Sequence, residues 1–268
     1  MTQLLEVRRL RKIYDGHGRI VEAIGDLSFA CAPGELVCIV GPSGAGKTTL
    51  LKCVAGLIAP TTGEVVLGAT RVTGPPEDMA VVFQEYGRSL FPWLTVWRNV
   101  ALPLEHHGAS RGELRGLVDA ALAEVGLADV HAAYPWQLSG GMQQRVAIAR
   151  AIAYQPKILL MDEPFAAVDA QTRADLEDLT LRVWRRHEIT ILFVTHDIDE
   201  AVYMAQRVLI LSASPTRVIE DLAIDLAAER DQLTTRSSPR FAELRGRVYE
   251  QIQRAKQRAA PAAGEVRS

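Results

Sequence analysis

Several things are scarce in this sequence of 268 residues, and each scarcity removes a class of protein. Nowhere do about 18 apolar residues run uninterrupted, so no segment is expected to span a membrane. The stretch Met1 to Lys12 lacks the apolar core of a secretory signal. Service to a membrane would therefore have to pass through a partner. Charge of one sign is missing as well. Thirty lysines and arginines against 32 aspartates and glutamates leave a formal net charge of −2, with no global pull toward nucleic acid or anionic lipid. Cysteine is rare: Cys31, Cys38 and Cys53 show no C-x-x-C spacing and have no histidine cluster nearby. An odd count without a disulfide framework fits a reducing cytoplasm, and the three read as buried small hydrophobes before metal or redox groups. No low-complexity block and no internal repeat is found.

What remains is the composition of a soluble globular protein, 48% hydrophobic and 23% charged. The length suits one large domain or two small ones. Apolar runs of four to seven residues recur at Leu36 to Val40, Met79 to Phe83, Ile158 to Met161, Ile189 to Thr195 and Val208 to Leu211. Flanked by polar or Gly/Pro-containing segments, they have the pattern of strands buried on both faces. Helical periodicity lies between them at Lys47 to Leu57 and at Ala170 to His187, where Leu176, Leu179, Val183 and Trp184 line one face. Such alternation predicts an α/β fold with a largely parallel sheet. From Leu90 to Tyr154 the pattern turns mainly helical, clearest over Glu113 to Val125 and Gly141 to Tyr154, and reads as a helical subdomain inserted between halves of the sheet core. After about Arg236, Phe241, Leu244, Val248 and Ile252 recur at helical spacing among arginines. That amphipathic helix either packs on its own core with a solvated basic face or touches lipid headgroups. Beyond Ala259 the composition is that of a frayed tail.

Three motifs carry chemistry. The strand Leu36 to Val40 runs into Gly41, Pro42, Ser43, Gly44, Ala45, Gly46, Lys47, Thr48 and Thr49, followed by a helix. This is G-x-x-x-x-G-K-[ST] in its strand–loop–helix setting. Glycines let the backbone wrap a phosphate chain with its N–H groups inward, and the helix N-terminus adds positive partial charge. Lys47 is placed to reach the outer phosphates and the Thr48 hydroxyl to hold Mg²⁺, so the loop binds a nucleoside triphosphate. The second motif is the apolar strand Ile158 to Met161, ending in Asp162 and Glu163. Alone it is a weak signal. Beside the phosphate loop it supplies a carboxylate for Mg²⁺, Asp162, and a candidate general base for the attacking water, Glu163.

The third motif is Leu138-Ser139-Gly140-Gly141-Met142-Gln143-Gln144-Arg145, in which a serine and two glycines at a helix start make a second anion cradle. Here the sequence resembles the nucleotide-binding subunits of ABC transporters, whose signature is L-S-G-G-Q followed by a basic position. The resemblance runs from about Leu4 to Ala227 and implies a P-loop NTPase (RecA-like) core with an antiparallel N-terminal β subdomain. Together with the patterns above, this divides the chain into an ATP-binding domain over 1–235, with the helical subdomain over about 90–154 inserted in its core, and a C-terminal amphipathic helix and frayed tail over 236–268. The resemblance further implies ATP and Mg²⁺ as cofactors. A second copy would face this one, so that Ser139, Gly140, Gly141 and Asp169 act on the partner's ATP. Tyr14 resembles the family's adenine-stacking aromatic. Gln84 resembles the glutamine that contacts Mg²⁺ and the attacking water, and His196 the histidine on the γ-phosphate. With Glu163 and Lys47 these complete the catalytic set. Met142 stands where glutamine is commonest, and Ala166 where serine usually precedes the aspartate, which puts one cross-interface hydrogen bond in doubt.

The segment Glu85-Tyr86-Gly87-Arg88-Ser89-Leu90-Phe91-Pro92-Trp93-Leu94-Thr95-Val96 is rich in large apolar side chains, which serve either a protein contact or the subdomain's own packing. Its L-F-P-W-L-T-V, with the stretch Val194 to Ala205, most resembles importers of the nitrate, sulfonate and taurine type. That likeness implies transmembrane permease subunits docked around Gln84 to Trp93 and an external solute-binding protein. It places the chain peripherally on the cytoplasmic face of the inner membrane, with no nucleic-acid partner. The catalytic motifs leave two alternatives open: an ABC ATPase acting on nucleic acid or ribosomes, and a subunit of an exporter or lipid-transport system.

Overall fold

A computed structural model describes residues 4–16, 19–84, 89–105 and 110–259. The chain divides into two compact units, Met1–Pro76 with Phe193–Ser268, and Glu77–Leu192.

In the first unit, β1 (Leu5–Gly16) and β2 (Arg19–Cys31) form a long antiparallel pair running from Leu5↔Cys31 to Gly16↔Arg19. On its other edge β1 pairs with β4 (Thr62–Leu67), which carries the two-residue β5 (Thr70–Arg71), giving the order β2-β1-β4-β5. The alternation of buried Leu5, Val7 and Leu10 with exposed Arg8 marks a sheet solvated on one face. A second layer begins with β3 (Leu36–Val40), buried at every position. β3 pairs in parallel with β9 (Arg207–Leu211) through Val37↔Arg207 to Val40↔Ile210, and β9 pairs antiparallel with the edge strand β10 (Val218–Ala223). The helix leaving β3, α1 (Lys47–Val54), buries Leu50, Leu51, Cys53 and Val54. It is three residues shorter than its apolar pattern predicts, because Gly56 adopts φ 68° and ends the turn. Two further helices, α6 (Ile198–Met204) and α7 (Pro239–Ala259), pack against each other.

In the second unit, β6 (Met79–Val82) pairs in parallel with β7 (Ile158–Asp162) from Met79↔Ile158 to Val82↔Met161, and β8 (Thr190–Val194) leads the chain back into the first unit. Among the described residues this unit holds the helices α2 (Val96–Ala101), α3 (Arg111–Glu124), α4 (Gly140–Ala153) and α5 (Ala170–His187). α4 is the hub, packing on α2, α3 and α5. It buries Val146, Ile148 and Ile152, side chains each contributing about 1.5–3 kcal/mol when fully removed from water. The α/β architecture is therefore that of the sequence reading: buried parallel strands linked by helices, with an antiparallel N-terminal sheet. Among the described residues no helix is long and apolar enough to cross a membrane.

Candidate functional site

The phosphate loop is built from backbone that only glycine tolerates. Gly44 and Gly46 sit at φ 76° and 74°. At Gly46 an added Cβ would lie 2.9 Å from the Ala23 carbonyl oxygen, so the position is closed to side chains by contact as well as by conformation. Gly46 is also the N-cap of α1, so α1 starts with no side-chain cap, and its first turn holds no acidic residue. Five later helices among the described residues differ. Thr95, Ser110, Ser139, Asp169 and Asp197 each accept a hydrogen bond from a first-turn N–H. With no side chain of its own chain capping it, the start of α1 has the polarity that suits an anion.

Over this loop lies Lys47, only 7% exposed, whose Nζ donates to the carbonyls of Gly41 at 3.1 Å and Pro42 at 3.4 Å. A buried ammonium held by neutral carbonyls is a cation suited to a phosphate oxygen. Thr48 is exposed, and the Tyr14 hydroxyl donates to Thr49 Oγ1 at 3.5 Å, which sets the aromatic ring beside the loop. His196 joins the same group, since the N–H of Thr195 donates to the Ile39 carbonyl at 3.1 Å, two residues before Gly41. Two braces escaped the sequence reading. Ser214 Oγ donates to the Gly44 carbonyl at 2.9 Å, and the fully buried Thr216 donates through Oγ1 to the Ala45 carbonyl. They come from the turn between β9 and β10, some 170 positions downstream, and a serine and a threonine in a turn carry no pattern that links them to the loop.

The second unit holds the acidic pair. Asp162, at the end of β7, is 5% exposed. Glu163 follows in the left-handed region at φ 45°, an uncommon conformation for a residue other than glycine and one that recurs at functional positions. The parallel register Val82↔Met161 brings the residues beyond the two strands together, so that Gln84 Nε2 donates to Glu163 Oε2 at 3.5 Å. Within this unit Asp162 and Gln84 offer hard oxygens with a single carboxylate. Such a set fits Mg²⁺ held mainly through phosphate and water, and not a dedicated protein cage. No cluster of three or more His, Cys, Asp or Glu suited to a metal occurs among the described residues.

The signature residues are also in this unit. Ser139 Oγ accepts from the Met142 N–H at 3.3 Å and caps α4. Asp169 caps α5, accepting from the Thr172 N–H at 2.9 Å and from its hydroxyl at 2.7 Å; these bonds hold its carboxyl below the usual range. Thr172 connects the two caps. A Cβ at Gly141 would lie 2.4 Å from Thr172 Cγ2, so the glycine lets the starts of α4 and α5 touch. Of the aromatic segment, residues 85–88 lie outside the described residues. The rest divides: Leu90 and Val96 are buried, whereas Trp93 is 70% exposed. Two polar side chains fix this loop. The fully buried Asn99 donates to the carbonyls of Phe91, Leu94 and Thr95 and accepts from the Phe91 N–H at 2.8 Å. Arg150 of α4, its pKa lowered by burial, donates to the Ser89 carbonyl at 2.7 Å and to Ser89 Oγ at 2.9 Å. The three cysteines are buried, and burial pushes the Cys31 thiol up to about 12 and Cys53 to about 11.

These features match a known family. Residues 24–166, more than half of the chain, match the description "ABC transporter". The chain belongs to the ABC transporter family. Among its relatives is the nitrate import ATP-binding protein NrtD of Synechocystis sp., 44% identical, with 85% of each chain covered. Another is the taurine import ATP-binding protein TauB of Pseudomonas entomophila, 41% identical over 93% of this chain and 96% of the relative. A solved ATP-binding cassette, a dimer in a post-hydrolysis state bound to ADP and Pi, superposes with a TM-score of 0.72. It is 32% identical, covering 83% of this chain and all of that one.

Proposed function

We propose that this chain is the ATP-binding and ATP-hydrolysing subunit powering an ABC importer for a small solute, of the nitrate, sulfonate or taurine class. One observation carries the reading: the uncapped start of α1, lying under a buried Lys47, in a chain similar over most of its length to import ATP-binding proteins. The chain is an ATPase that works as a dimer with Mg·ATP.

Phosphoryl transfer rests on positioning and electrostatics. Tyr14 stacks on adenine. Gly41 to Gly46 and the first-turn N–H groups of α1 wrap the phosphates, and Lys47 reaches the outer ones. Thr48, Asp162 and Gln84 would hold Mg²⁺, which would offset the negative charge on the phosphate oxygens. Glu163 takes a proton from the attacking water, Gln84 orients that water, and His196 contacts the γ-phosphate. Ser139, Gly140, Gly141 and Asp169 act on the ATP of the partner copy. The ATP-binding domain spans 1–235, and its helical segment over about 90–154 presents Trp93 to transmembrane permease subunits. A solute-binding protein delivers the cargo, and the chain works at the cytoplasmic face of the inner membrane.

Tagged Glu163→Gln protein, pulled from detergent-solubilised native membranes with ATP present, tests this. A multi-spanning permease in stoichiometric yield is expected. Ribosomal or DNA-bound partners without a permease would overturn the importer role and leave the ATPase chemistry standing.

A further inference from the structure

The C-terminal segment grips both ends of α6, the helix whose N-cap, Asp197, directly follows His196. At the N-terminal end, Arg245 Nε of α7 lies 2.5 Å from Asp199 Oδ1. At the C-terminal end, Arg230 donates to the carbonyls of Tyr203 at 3.1 Å and Ala205 at 3.3 Å. The Arg236 guanidinium lies 4.8 Å from the ring centroid of the fully buried Tyr203. α7 is itself anchored. Phe241, Leu244, Val248 and Ile252 are buried, Arg240 pairs with Asp225 at 2.8 Å, and Arg247 pairs with Glu220 of β10 at 2.5 Å. The sequence reading left the purpose of this helix unassigned.

A helix of seven residues has no independent stability and takes its direction from what it packs on. Asp197 accepts from the N–H groups of Asp199 and Glu200, so the loop carrying His196 is hydrogen-bonded to the first turn of α6 and moves with it. A cavity of about 550 Å³ lies on the same side, walled by His196, Asp199, Arg245, Gly246 and Tyr249. α7 and the histidine therefore face one open space, with the Arg245–Asp199 pair at its wall.

We propose that α7 is a positioning element for His196, acting through Arg245 and Asp199 on the tilt of α6. The inference rests on the reading that His196 contacts the γ-phosphate. Arg245 touches no substrate in this reading, so it is a positioning residue.

ATP turnover of the full chain, with kcat and KM read separately, tests the proposal. Arg245→Ala is expected to lower kcat about threefold to fivefold while KM changes by less than about twofold, the size expected of one half-exposed ion pair. Arg245→Lys should restore most of the rate. Asp199→Ala should match Arg245→Ala, and the double variant should be no slower than either single one. In a His196→Ala background, Arg245→Ala should have no further effect on the residual rate. Hydrogen exchange supplies a readout independent of turnover: Arg245→Ala should speed exchange at the amides of Asp199 and Glu200 and leave those of α1 unchanged. Unchanged exchange at those amides, or an equal loss of kcat with and without His196, would overturn the proposal. A full wild-type rate in His196→Ala alone would remove the histidine reading on which it rests. A slow His196→Ala beside a wild-type Arg245→Ala would sink only the role of α7.

Discussion

Two helices of this protein, α1 and α4, begin at glycines, and each glycine-marked start reads in the sequence as an anion cradle, yet the two are finished differently. α1 opens at Gly46 without a side-chain cap, and Lys47 is folded onto the loop carbonyls at 3.1 and 3.4 Å. α4 opens at Ser139, whose hydroxyl oxygen is already taken by the Met142 N–H at 3.3 Å. The first is a site with its positive charge assembled inside one chain. The second brings no lysine at the corresponding place and satisfies part of its own donor set, so it attracts an anion weakly until something else presents one. A cap does not disable Ser139, because its oxygen accepts while its proton remains able to donate. The difference fits a division of labour in which the chain binds nucleotide at α1 and completes the nucleotide of a second copy with α4.

The sharpest way to break the comparison is to remove the charge from the first cradle. Lys47→Ala deletes charge-assisted hydrogen bonds worth about 1.5–3 kcal/mol each, so two such bonds to phosphate correspond to a hundredfold or weaker binding. Turnover should fall below detection, measured by nucleotide titration and phosphate release. Next in size is Glu163→Gln, which removes the proposed general base, a role that contributes about 10²–10⁴-fold. ATP binding should survive, and an ATP-bound dimer should accumulate on light scattering; wild-type turnover would reject Glu163 as the base. Ser139→Arg addresses the second cradle alone. Affinity of the isolated chain for ATP should stay within about twofold, because the first cradle supplies that affinity by itself. ATP-dependent dimerisation should disappear, and an unchanged dimer would overturn the division of labour.

Much of the first cradle was legible because it is local. A strand buried at every position, two glycines forced to positive φ, a lysine and a hydroxyl residue occupy consecutive positions, and local spacing is what a sequence displays. The acidic pair was legible for the same reason, but the left-handed Glu163 was not, since no neighbouring residue announces that backbone state. Ser214 and Thr216 brace the loop from a distant turn, and Arg150 fixes Ser89 across 61 positions. Contacts of that kind exist only once the fold has closed. The strands β1, β2 and β4 were implied by the family resemblance rather than delineated by pattern. They are half-exposed, interrupted by register shifts near Arg9, and carry arginines and glutamates that blur alternation.

Gly141 sharpens the comparison through packing. Glycine to alanine inside a helix ordinarily stabilises by about 1 kcal/mol. At Gly141 the added Cβ would lie 2.4 Å from Thr172 Cγ2, and overpacking of that kind costs about 1–3 kcal/mol. Gly141→Ala should therefore destabilise by about 1 kcal/mol net, read as a lower melting temperature. Gly141→Ala with Thr172→Ser should recover it, because serine lacks Cγ2 and keeps the hydroxyl that donates to Asp169.

The smallest effect separates the capped helices from the uncapped one by pH. Asp169 accepts from the Thr172 N–H and hydroxyl, and these bonds hold its carboxyl below the usual range. A depressed carboxylate contributes stability that is present above its unfolded pKa, about 3.9, and is lost as pH falls through the lower folded value. Asparagine caps helices about as well as aspartate but does not titrate. Asp169→Asn should thus match the wild type at pH 7 and lose stability less steeply below about pH 4. α1 has no such carboxylate at its start, so its first turn should add nothing to that acid limb. The pair of acid unfolding curves measures this directly. Curves of equal steepness would mean that the Asp169–Thr172 bonds do not persist in solution, and the link between the starts of α4 and α5 would then rest on the Gly141 contact alone.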